Sequence, residues 1–100
     1  MPKFINIPVN VSAGDNVVAT ARDFYVLNAA VCLETEEQCK RNQQAYENDE
    51  SFLGFECPGT ATQENPTVRF TIPRNGKWFI FYDADQLGGV HIAVESQRAT

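Results

Sequence analysis

His91 is the only histidine in the chain, so a Ser–His or Cys–His nucleophilic pair would have to use it. It alternates with Val90 and Ile92, which predicts a residue on the strand face opposite the core. Cys32, Cys39 and Cys57 could join it to complete the four ligands of a zinc site. The spacing holds no C-x-x-C knuckle, and Cys32 lies inside an apolar run, so buried or idle thiols are the preferred reading. Asp83-Ala84-Asp85-Gln86 places two carboxylates on one turn. Hard cations such as calcium favour clustered oxygen ligands, and paired carboxylates can hydrolyse glycosides. Two carboxylates are too few for a dedicated cation site, and no aromatic-lined cleft can be assigned beside them, so a solvated turn is expected. Gly88-Gly89 lacks the spacing and the helix start of a phosphate loop. Phe70, Trp78, Phe79, Phe81 and Tyr82 could stack sugars or bases, but on a sandwich they read as core. This reading assigns no catalytic residue, no metal and no cofactor.

The elements that would hold these residues are mostly strands. Ile5, Ile7, Val9 and Val11 alternate with Asn6, Pro8 and Asn10, which predicts a half-buried strand over 4–11. Pro8 places it at a sheet edge or aims its nitrogen at solvent. Ser12 to Asn16 is turn chemistry. A weaker strand is expected over 17–21, a break at Arg22-Asp23, and a central strand over 24–33, apolar on both faces; a buried helix fits that run as well. Thr35 and Gln38 fit a capping box, with Glu36 and Glu37 in a first turn where the helix dipole favours acids. The helix over 36–46 has a thin apolar face: Cys39, Ala45 and Tyr46. Residues 51–56 suggest a short strand with a bulge at Gly54. Val68, Phe70 and Ile72 alternate, and Asn75-Gly76 then signals a hairpin turn. Trp78, Ile80 and Tyr82 share one face of the next strand and Phe79 and Phe81 the other, which predicts burial on both sides and Trp78 in the core. Val90, Ile92 and Val94 form a last strand. About seven short strands with regular turns lead to two packed antiparallel sheets, a jelly-roll-like β-sandwich of residues 1–100 with one helical insertion near 35–47.

Length and charge bound the rest. One hundred residues, 43% hydrophobic with 11% aromatic, suffice for one small core. No apolar run reaches the roughly 20 residues of a membrane span. The start reaches Asn6 and Pro8 too soon for a signal-peptide core, so free thiols in a reducing, cytoplasmic setting are the default expectation, with one bridge and one leftover thiol still open. The net charge is −5, which handicaps binding to nucleic acid. The acids concentrate in one segment: Glu34, Glu36, Glu37, Glu47, Asp49, Glu50, Glu56 and Glu64 stand against Lys40 and Arg41 alone. A solvated face explains this segment, and so does a docking surface for a basic partner.

Ile72-Pro73-Arg74-Asn75-Gly76-Lys77-Trp78, followed by Asp83 and by Gly89-Val90 and Val94, reads I-P-x-x-G-x-W, then D, then G-V-x-x-x-V. This pattern resembles a family of small bacterial β-sandwich domains of unknown function, found alone or fused to TIR domains. Gly14-Asp15-Asn16-Val17 and Val31-Cys32-Leu33 fit the same family more loosely, and the acidic stretch over 34–50 departs from it. The resemblance implies a fold and no reaction. Lys3 to Val9 is also similar to the starts of small structural proteins of tailed phages. Two functions follow as expectations. One is a non-catalytic binding or adaptor module for a protein or small ligand; the other is a structural building block such as a capsid decoration protein, which would self-associate and be virion-associated. Loops on a rigid scaffold tend to carry function, so Glu36, Glu37, Glu47, Asp49 and Glu50 are the expected partner-facing residues. Neither a nucleic acid nor a membrane is expected as a partner.

Overall fold

The computed structural model describes residues 4–48, 54, 57 and 60–96. Seven strands, β1 (Phe4–Val9), β2 (Asn16–Phe24), β3 (Ala29–Thr35), β4 (Thr60–Ala61), β5 (Thr67–Thr71), β6 (Trp78–Asp83) and β7 (Leu87–Glu95), and one helix, α1 (Glu36–Asn48), make up the described elements. Two antiparallel sheets, ordered β1-β6-β3-β4 and β5-β2-β7, pack face to face as a small all-β sandwich. The expected fold class is therefore found, with the helix inserted between β3 and β4.

The core lies where the alternation places it. Val17, Ala19 and Ala21 of β2 and Phe70 of β5 face Val31 and Leu33 of β3 and Trp78, Ile80 and Tyr82 of β6, with Ile72 and Leu87 closing the layer. Trp78 is buried, and its indole N–H donates to the Arg74 carbonyl at 3.0 Å, which satisfies the one polar atom that burial would otherwise strand. Pro8 sits on β1, an edge strand, the place in a sheet where a residue without an amide donor is tolerated. The second face of β6 is also covered, since Phe81 is buried and tilts against the Phe4 ring with centroids 6.5 Å apart.

Three expectations are corrected. Asn75-Gly76 does not close a hairpin. β5 pairs with β2, whereas β6 pairs with β1 and β3, so the connection between them crosses from one sheet to the other. It is tied to the Ser12–Asp15 turn instead: Gly14 N–H donates to the Ile72 carbonyl at 2.8 Å, and Ala13 N–H to the Asn75 side-chain oxygen at 2.8 Å. Arg22-Asp23 does not break the second strand. β2 stays paired with β7 as far as Phe24 opposite Leu87, with Asp23 at φ 55°, a left-handed conformation that Asp tolerates better than most residues. The break falls later, at a bend over 25–28, and β3 begins only at Ala29. The short strand expected over 51–56 lies outside the described residues apart from Gly54, which is in neither helix nor strand.

Candidate functional site

Helix α1 carries three of the expected partner-facing acids, Glu36, Glu37 and Glu47. Its start is the expected capping box: Thr35 N–H donates to Gln38 Oε1 at 2.8 Å, and Gln38 N–H to Thr35 Oγ1 at 3.2 Å. Glu36 Oε2 lies 3.2 Å from Lys77 Nζ, and Glu37 Oε1 lies 2.6 Å from Arg41 Nη2, one helical turn on. Glu47 is exposed. Asp49 and Glu50 lie outside the described residues. The structure thus pairs two of the five expected partner-facing acids within the chain.

The inner side of α1 is not idle. Cys39, Asn42 and Ala45 are buried, and the side chain of Tyr46 lies outside the described residues. Beneath them stands Glu34, on the β3 face turned away from the inter-sheet core and 0% exposed. Asn42 Nδ2 donates to Glu34 Oε2, and the Cys39 thiol bonds to the same carboxyl group. Burial raises the Glu34 carboxyl from 4.5 to about 7, against the opposing pull of the Asn42 and Cys39 bonds. Burial also raises the Cys39 thiol, with the charge of Glu34, their mutual hydrogen bond and Glu36 adding to it. Glu34 Oε1 is buried with no hydrogen-bond partner. The helix is therefore the lid of the four-stranded sheet.

Beside that lid, Cys32 and Cys57 form a disulfide with Cα atoms 4.4 Å apart, which corrects the default expectation of three unpaired thiols. The contact depends on tertiary folding: a Cβ on Gly54 would come within 2.9 Å of Cys57 Sγ and 3.0 Å of Cys32 Cβ, so only glycine permits so close an approach. Cys39 is the free, buried thiol. No group of three or more potential metal ligands exists among the described residues. His91 is exposed on β7 opposite Thr20. Asp83 caps its own turn, accepting from Asp85 N–H at 2.8 Å through Oδ1 and from Gln86 N–H at 2.9 Å through its carbonyl.

The apolar surface that the sequence reading missed is the bend between β2 and β3. Tyr25 is 66% exposed, Leu27 88%, and Val26 is exposed between them. With Phe24, Asn28, Thr62, Gln63 and Glu64 they line an open groove of about 580 Å³. The bend is tied to the turn that leads into β7, and the facing wall of the groove is a turn closed on itself. Tyr25 N–H donates to the Gln86 carbonyl at 2.9 Å, and Asn65 N–H closes a turn on the Thr62 carbonyl at 3.1 Å. Gly88 provides the clearance, since a Cβ there would meet Asp23 Cβ at 2.5 Å. One signal was present in the sequence. A ten-residue strand over 24–33 would be about 33 Å long, well beyond the usual five or six residues, and Asn28 interrupts it.

No family model, curated protein or solved structure matches this chain. No helix among the described residues is long and apolar enough to cross a membrane.

Proposed function

We propose that this protein is a non-catalytic binding module that takes a protein partner on the sandwich end formed by the bend over 25–28. The observation that carries this reading is the run of three consecutive large apolar side chains, Tyr25, Val26 and Leu27, held in solvent by a braced loop. Contiguous exposed apolar surface of this kind marks interaction sites, and tyrosine is among the residues that anchor interfaces. The non-catalytic part of the reading is supported by the exposed position of His91 and by thiols that are either bonded to each other or buried. The resemblance of residues 70–94 to small β-sandwich domains, some joined to other domains, agrees with an adaptor role. The disulfide favours an oxidising setting over the cytoplasmic one expected from the sequence.

The test is affinity capture from the source organism with three baits, read by quantitative mass spectrometry. These are the parent, Tyr25→Ser/Leu27→Ser, and Glu36→Gln/Glu37→Gln/Glu47→Gln. A partner held by the parent and by the helix variant but lost by the bend variant is the expected result. Loss by the helix variant alone would return the site to the acids. Concentration-dependent self-association of the parent without any foreign partner would favour the building-block function.

A further inference from the structure

Resting on that reading, we infer that the partner presents a basic segment in which a large aliphatic or aromatic side chain is flanked by lysine or arginine. Glu64 is part of the groove wall. Asp23 stands at the end of β2, its side chain against Gly88 beside the Tyr25 hydroxyl. Asp83 and Asp85 belong to the turn whose Gln86 carbonyl accepts the Tyr25 N–H. Four carboxylates thus stand on this end of the sandwich, with Glu64 and Asp23 against the patch itself. Among the described residues the nearby cation is Arg22, whose guanidinium lies over Gly89 on β7.

The other end of the sandwich differs. There the connection from β5 to β6 carries Arg74 and Lys77, with Arg74 over the Trp78 ring at 5.3 Å and Lys77 on Glu36. The carboxylates at the bend have no such side-chain ion pairs among the described residues. Screening limits each charge to about 8 Å at physiological salt, so this local rim, and not the net charge of −5, sets the field that a docking segment meets. An apolar centre with a rim of mainly one sign excludes water at the middle and selects the opposite sign at the edge. The same rim repels the anionic surface of a bilayer and the phosphates of a nucleic acid, which leaves a cationic stretch of protein as the fitting occupant.

The probe is a displayed library of random twelve-residue peptides selected on the oxidised full chain. The strongest binders are then synthesised and titrated at two salt concentrations. The expected binders are net positive and carry at least one Leu, Ile, Phe, Trp or Tyr. Leu27→Asp should weaken them at least about tenfold. Glu64→Gln/Asp85→Asn should weaken them about three- to tenfold and flatten the salt dependence. Thermal unfolding of each variant confirms that the fold is intact, with Leu27→Ser as the substitute should Leu27→Asp fail to fold. Neutral or acidic binders that still depend on Leu27 would overturn the basic partner while keeping the surface. Binding indifferent to Leu27, or no enrichment at all, would overturn both. A dimer abolished by Leu27→Asp, or Leu27-dependent adsorption to phosphatidylserine vesicles, would assign the patch to a second copy or to a membrane and overturn the inference.

Discussion

Helix α1 and the bend over 25–28 handle charge and apolar surface in opposite ways. In the helix, Glu36 and Glu37 are matched by Lys77 and Arg41, and Cys39, Asn42 and Ala45 are turned inward over Glu34. In the bend, Tyr25 and Leu27 are turned outward, and the carboxylates of Glu64 and Asp23 stand beside them. The helix is the segment with the most conspicuous charge, and its inner face seals the four-stranded sheet. The bend has the composition of a core strand, yet it lies in solvent. Composition gives the amount of apolar and charged surface, whereas the tertiary contacts decide which of it is left over for a partner.

The largest effect should come from opening the sealed side. The Cys32–Cys57 bridge closes a loop with a sequence separation of 25, and loop-closure entropy for that length amounts to about 3.5 kcal/mol. Denaturant unfolding of oxidised and reduced protein should differ by roughly that amount. Hydrogen exchange should quicken in α1 and around Phe81 while the 25–28 bend is unchanged. Equal stability in the two states, with three reactive thiols in the native protein, would mean that Cys32 and Cys57 are not bridged.

The next effect lies beneath the helix. Burial raises Glu34 to about 7 from 4.5, so the folded protein holds a proton there that the unfolded chain releases. The sign follows from linkage: the contribution is fully present below about pH 4.5, falls as pH rises through 7, and is absent above. At about 1.4 kcal/mol per pH unit the full swing is on the order of 3 kcal/mol. Cys39, the other titrating group in this cluster, is raised as well and acts in the same direction only at higher pH. Glu34→Gln should flatten the stability profile between pH 5 and 8.5 and leave the variant the more stable of the two at pH 8.5. Profiles that run parallel across this range would show that Glu34 keeps one charge state throughout.

How much of this was legible in the sequence depends on the distance over which each feature is decided. The alternation of β1, the two-sided burial of β6 around Trp78 and the capping box at Thr35 are local, and each stands where its residues place it. The route from β5 to β6 was not legible, because Asn75-Gly76 specifies a turn and not the strand it delivers the chain to. The bridge and the Glu36–Lys77 pair join residues far apart in sequence, so no local pattern announces them. Glu34 ends an apolar strand and reads as a surface acid until the helix folds over it. At the bend, residues 24–33 have the composition of a core strand, and only the length of the run and Asn28 argued for a turn.

The smallest effect on stability is expected at the bend. Leu27 is 88% exposed, so little of its surface is withdrawn from water on folding and Leu27→Ser should change stability by no more than about 0.5 kcal/mol. Glu36→Gln/Glu37→Gln/Glu47→Gln removes an i,i+4 pair, a cross-element pair and two first-turn acids. Exposed pairs contribute little, and first-turn acids about 0.3–1 kcal/mol each, so a loss of about 1 kcal/mol is expected. The two variants should therefore rank one way in stability and the opposite way in binding. Calorimetry measures the first ranking and titration with a selected peptide the second. A Leu27→Ser protein that loses more than about 2 kcal/mol would mean that the bend is packed against something in the folded chain, and its apolar side chains would then have to be counted as core.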